Sequence, residues 1–230
     1  MFVSIPSRKT STLRWATPLL FVVLWGVFLW VIARPSATFG ALLLDWGTLS
    51  GGLASPSVWF DAVRDGRALR LVTALFLHAD WAHLLGNLVF LLIFGLPAER
   101  AMGPWRFLVL FLLGGAVANL VAALAINAPD RVIIGASGAV SAVIGAYLAL
   151  FPRAKLGVVL PLGLFLEFVR APASLLIGIW VLLQIVFAYI GPGFGAIAWV
   201  AHLGGFAFGG VFALAVRAGI AKRMRRQHGY

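Results

Sequence analysis

The chain has 230 residues, of which 62% are hydrophobic and 11% charged, and its mean hydropathy is +1.03. Soluble domains carry about 25% charged residues, so these values exclude a soluble globular enzyme and read as a multi-span membrane protein built as one domain. The net charge of +11 sits in positive residues at the two ends and in short loops; that distribution fits membrane lipid headgroups and topology signals and sets nucleic acid aside as a partner.

Cysteine is absent, which removes disulfides and thiolate metal sites from consideration. A basic tail at 1–14 (Arg8, Lys9, Arg14) leads into the first uncharged run, Trp15 to Ala33. No small-residue cleavage pattern follows, so this run reads as a retained first span and not a signal peptide. The stretch 34–70 holds Pro35, Gly51, Gly52, Pro56 and several charges, but its Trp46, Val58, Trp59 and Phe60 place it at the membrane interface. A second span is expected over Trp81 to Ala98, a third within Phe107 to Pro129 and a fourth within Val132 to Pro152.

Leu156 to Leu166 is apolar yet too short to cross about 30 Å of hydrocarbon. With Pro161 and Gly163 inside it, an interfacial or re-entrant segment is expected. The uncharged run 171–216 is broken by Gly191-Pro192-Gly193 into a fifth span, about 173–190, and a sixth, about 197–216. A basic tail at 217–230, with Lys222, Arg223, Arg225 and Arg226, closes the chain. Six spans put both basic tails on the cytoplasmic side, as the positive-inside rule requires.

This topology sends the second, fourth and sixth spans inward from the outer face. Their first turns carry His83 and Asn87, then Ser137, then His202. Polar groups inside a membrane are costly and mark functional sites by default. Each alone has a bland reading: Ser137 as a helix N-cap, His202 or Asn87 as a packing hydrogen bond, His78 and His83 as solvated interface residues. Their shared depth favours a joint role. Ser137, Ser141 and Gly145 form one small-residue stripe, and His202, Gly205 and Gly209 another; two such stripes let helices approach closely. A serine and a histidine in contact make an acyl-transfer pair, in which the imidazole takes the hydroxyl proton as the oxygen attacks a carbonyl. None of the seven acids lies in the fourth or sixth span, so a dyad is expected. His83 and Asn87, four residues apart on one helix face, supply oxyanion donors beside the Ser137 amide.

Three motifs in this order, His78-x4-His83-x3-Asn87, Gly135-Ala136-Ser137-Gly138 and Ala201-His202-x-Gly204-Gly205-x3-Gly209, resemble those of the rhomboid intramembrane serine proteases, and the resemblance covers nearly the whole chain. It implies an all-α membrane protein, a six-helix bundle over 15–216 with 34–70 as a membrane-embedded first loop. It implies Ser137 as nucleophile, His202 as its base, an oxyanion hole of His83, Asn87 and the Ser137 amide, and His78 in support. The fifth span and the loop 191–196 would be the gate and cap for lateral access of substrate. Two positions depart from the family pattern. Leu69-Arg70 stands where a Trp-Arg pair is common, leaving Arg70 to pin the loop. Ser141 stands where an aromatic ring often stacks on the histidine, which makes Ser141 a candidate hydrogen-bond partner for His202. Glu99-Arg100-x-x-Gly103 resembles a family element expected to cap structure.

The expected function is cleavage of transmembrane helices of other membrane proteins near their outer ends, with no metal or organic cofactor. A bacterial plasma membrane is the expected location. Two other readings are a metal or haem protein using His78, His83 and His202, and a proteolytically inactive relative that binds membrane helices.

Overall fold

The computed structural model describes residues 14–50, 56–126, 131–162, 165–190 and 198–228. The tail 1–13, residues 51–55 of the expected first loop and the expected cap 191–196 lie outside or largely outside the described residues.

The described chain is mostly helical. In order it forms α1 (Ala16–Ile32), α2 (Ser36–Trp46), α3 (Pro56–Arg64), α4 (Trp81–Met102), α5 (Pro104–Ala125), α6 (Ser137–Leu150), α7 (Ala173–Ile190), α8 (Trp199–Ala215) and α9 (Arg217–His228). Helices α4, α5 and α7 are long and apolar enough to cross a membrane, and α1, α6 and α8 are shorter apolar helices. The six overlap the six uncharged runs of the sequence, with α4 extending through Glu99 and Arg100 and α5 including Arg106.

Each helix buries the face its sequence allows. On α1, Leu20, Leu24 and Phe28 recur every fourth residue and are buried, while Val22, Leu29 and Trp30 point outward. Helix α6 is buried on every side from Gly138 to Tyr147, which makes it the central helix. On α5, Gly114, Gly115 and Ala118 keep side-chain volume low where α6 and α8 lie against it. Outward-facing leucines and valines are the ordinary surface of a protein solvated by lipid.

Helix α4 contains a π-helical turn at Leu91–Gly95. Such a turn inserts one residue into the helical repeat and rotates the face that follows it. Below it, the buried Glu99 accepts hydrogen bonds from the first two amides of α1, Ala16 N–H to Oε1 at 2.9 Å and Thr17 N–H to Oε2 at 2.8 Å. The Glu99 motif therefore caps α1, as expected.

Segment 34–70 carries α2 and α3, with Leu44, Trp46, Phe60, Val63 and Leu69 exposed. It is tied to the bundle by main-chain acceptors. Thr48 Oγ1 donates to the Arg70 carbonyl at 2.8 Å, and Thr73 Oγ1 donates to the Trp46 carbonyl at 2.7 Å. Asn119 Nδ2 of α5 donates to the Leu71 carbonyl at 2.9 Å. Arg70 was expected to pin this loop; among the described residues its carbonyl takes part by accepting from Thr48.

Two short antiparallel ribbons complete the fold. β1 (Thr48–Leu49) pairs with β2 (Val132–Ile133), joining the first loop to the approach to α6. β3 (Lys155–Leu162) pairs with β4 (Phe165–Pro172) in a hairpin between α6 and α7. The described residues of the apolar stretch, 156–162 and 165–166, thus lie in two strands, where an interfacial or re-entrant segment of unspecified conformation was expected. The fourth span also begins later than its uncharged run, because 132–133 is strand and Gly135 turns the chain before Ser137.

Candidate active site

The turn before α6 is the foundation of the site. Gly135 has φ +104°, a conformation that disfavours any side chain, and a Cβ there would overlap the His83 imidazole. Its N–H donates to the Ala74 carbonyl at 2.9 Å, and the next amide, Ala136 N–H, donates to His78 Nε2 at 3.4 Å. His78 is buried and precedes α4. Burial, reinforced by the neighbouring His83, lowers its pKa from 6.5 to about 4, so it is neutral and can accept that amide. The supporting role expected for His78 corresponds to this contact.

Ala136 is the N-cap of α6, and Ser137 is the first helical residue. The N-cap reading of Ser137 therefore fails. Its hydroxyl is engaged elsewhere: Ser137 Oγ lies 2.8 Å from His202 Nε2. The two come together because α6 and α8 touch through their backbones. A Cβ on Gly205 would overlap the Gly138 carbonyl, one on Gly209 the Ala142 carbonyl, and one on Gly145 the Phe206 carbonyl. The two small-residue stripes interlock as their spacing led us to expect, and Gly138 belongs to the same seam.

His202 is held from the other side by α7. Its Nδ1 lies 2.7 Å from Gln184 Oε1. Trp180, one turn before Gln184, stacks on the imidazole at 6.5 Å between centroids and 28° between planes, and Trp199 meets it edge-on at 5.9 Å. Ser141 is not the partner expected. Its hydroxyl donates back to the Ser137 carbonyl at 2.7 Å, the i−4 bond that a serine inside a helix readily makes. Gln184, Trp180 and Trp199 went unremarked in the sequence. The one available signal was that Gln184 is the only amide side chain in the span 173–190.

His83 and Asn87 project from the first turns of α4 toward the same place. Asp80 caps this helix by accepting the His83 N–H at 2.8 Å. The His83 ring meets His78 edge-on at 5.0 Å. Asn87 is 7% exposed, and its Nδ2 has no hydrogen-bond partner among the described residues. A cavity of about 270 Å³ is lined by His83, Asn87, Ser137, Ser141, Gln184 and His202 together with apolar side chains. Side chains from α4, α6, α7 and α8 thus share one cavity. The amide of Ser137, in the first turn of α6, is among those a helix leaves without an internal partner.

Residues 65–219 match the Rhomboid domain. The chain belongs to the rhomboid family. Relatives include RHOMBOID-like protein 12, mitochondrial, of Arabidopsis thaliana, 33% identical over 69% of this chain and 49% of that protein. The Putative rhomboid protease YdcA of Bacillus subtilis (strain 168) is 36% identical over 37% of this chain and 43% of its own length. Rhomboid-like protease 3 of Toxoplasma gondii is 42% identical over 35% of this chain and 30% of its own length. The match spans less than half the length of each of these relatives.

As a rhomboid, the chain is an integral membrane protein whose helices bring a serine and a histidine into hydrogen-bond contact. A metal site using His78, His83 and His202 together is not formed among the described residues. Among the described residues no three histidine or acidic side chains converge on one point, His78 accepts a backbone amide, and His202 is engaged by Ser137 and Gln184.

Proposed function

We propose that this rhomboid is an intramembrane serine endopeptidase that cuts transmembrane segments of other membrane proteins near their outer ends. The observation that carries the reading is the 2.8 Å contact between Ser137 Oγ and His202 Nε2 in a cavity that also holds the Asn87 amide, whose Nδ2 has no partner among the described residues. Ser137 is the nucleophile and His202 the base that takes its proton, then returns it to the leaving amine. Asn87 Nδ2, the His83 ring and the Ser137 amide receive the charge that develops on the carbonyl oxygen. No cofactor takes part.

The chain crosses the bilayer six times in this proposal, once at each apolar helix, with segment 34–70 resting in its outer leaflet and both basic tails in the cytoplasm, against anionic lipid. A bacterial plasma membrane is the proposed location. Helix α6 has 14 residues, about 21 Å at 1.5 Å per residue, against a hydrocarbon core of about 30 Å. With its inner end at the cytoplasmic boundary, Ser137 lies part-way into the outer leaflet, where water reaches it through the cavity. A helical substrate hides its peptide bonds in its own hydrogen bonds, so cleavage requires a segment that unwinds readily. The test is labelling by a fluorophosphonate in detergent, with cleavage of a model transmembrane substrate in parallel. Ser137→Ala and His202→Ala should each abolish both while the protein remains folded. Full proteolysis by Ser137→Ala would overturn the proposal.

A further inference from the structure

We infer that Gln184 is a positioning residue that selects the reactive tautomer of His202, an inference that rests on the serine-protease reading of the same site. Helix α7 buries only Ala173, Ile177 and Gln184 among its 18 residues, with Trp180 and Val181 half-buried against the core. Gln184 is 5% exposed, and an amide carried inward on an otherwise apolar helix costs free energy unless it is hydrogen-bonded. Its Oε1 lies 2.7 Å from His202 Nδ1, while His202 Nε2 lies 2.8 Å from Ser137 Oγ.

A neutral imidazole has one N–H and one lone pair, and the hydrogen bond at one nitrogen decides the role of the other. An amide oxygen at Nδ1 is an acceptor, so the proton resides on Nδ1. The lone pair then sits on Nε2, facing the serine hydroxyl it must deprotonate. In a triad this task falls to a buried carboxylate, and the wrong tautomer is inactive. The transmembrane spans flanking Ser137 and His202 contain no acid. A neutral amide performs the same selection without placing a charge in the membrane. Trp180, on the same face of α7, fixes the ring plane while Gln184 fixes its rotation about that plane. With Ser141 turned back to its own helix, the orientation of the histidine comes from α7 and from Trp199.

The full-length protein in detergent micelles decides the matter by two measurements. Nitrogen-15 NMR of histidine-labelled protein, with the His202 signals assigned by their loss in His202→Gln, should show Nδ1 protonated and Nε2 bare. Gln184→Met, which keeps the volume and removes the acceptor, should mix the two tautomers. It should lower kcat about 10- to 100-fold, the usual effect of removing a partner that orients a histidine, with KM unchanged. Gln184→Glu, which keeps an oxygen at Nδ1, should recover most of that loss. A His202 protonated on Nε2 in the unmodified protein, or a Gln184→Met variant with full kcat, would overturn the inference. Should Gln184→Met fail to fold, the tautomer of the unmodified protein still decides. Cleavage by Ser137→Ala would instead sink the nucleophile and leave the tautomer result standing.

Discussion

Gly209 of α8 faces the main-chain carbonyl of Ala142 on α6 with no room for a side chain between them. Gly205 and Gly145 repeat the arrangement one turn to either side. Contact at this range lets a serine on one helix reach a histidine on the other, since both side chains are short. Gly209→Val should force the helices apart. Overpacking typically costs about 1–3 kcal/mol, and a misplacement of about 1 Å can cost about 100-fold in rate. Thermal unfolding in detergent and cleavage rate, measured together, should show activity lost at temperatures where the variant is still folded.

Asn87 offers a sharper test of the proposed chemistry. Its Nδ2 has no protein partner among the described residues and lines the cavity, so it is available to donate to a group that enters there. On the proposed mechanism that group is the oxyanion. Removing one such donor costs about 100- to 1,000-fold in kcat. Asn87→Ala should show that loss with KM little changed, and its unfolding midpoint should stay close to that of the unmodified protein, because no hydrogen bond to a described residue is lost.

The sequence made the helices and the Ser137–His202 pair legible for a simple reason. Charge is excluded from spans, so uncharged runs mark them, and small residues at four-residue spacing mark the seam between α6 and α8. What stayed hidden depended on rotation and on backbone geometry. Gln184 in an apolar run looks like any packing amide until the rotation of α7 about its axis is known. Ser141 looked free to meet His202 because the bond back to the Ser137 carbonyl competes only once the helix has formed. The strands at 155–172 and the π turn at Leu91–Gly95 leave no periodic signature. Arg70 drew notice for its place in the family pattern, and its carbonyl holds Thr48.

Glu99 ties the first helix to the fourth. Its two oxygens accept the Ala16 and Thr17 amides, which α1 would otherwise leave unpaired in a buried setting. Glu99→Ala strands both donors and should destabilise the protein by about 2–4 kcal/mol, counting about 1–2 kcal/mol for each. Glu99→Gln keeps one acceptor and should retain about half of that stability. Unfolding midpoints of the two variants in one detergent would check the order.

His78 makes stability depend on pH in a definite direction. Burial, with a smaller contribution from His83, lowers its pKa to about 4 from an ordinary 6.5. Above pH 6.5 the ring is neutral in the folded and unfolded chains alike, and its contact with the Ala136 amide is fully available. As pH falls below 6.5 the unfolded chain takes up a proton that the folded one refuses, so stability declines until about pH 4, where the folded ring protonates too. Between pH 7 and pH 5 this one group should remove about 2 kcal/mol. Replacement by a ring that cannot titrate, His78→Phe, should flatten the pH dependence of the unfolding midpoint over that interval, at the cost of lower stability at pH 7, where the Ala136 amide loses its acceptor. An unchanged slope in His78→Phe would show that other groups carry the pH dependence.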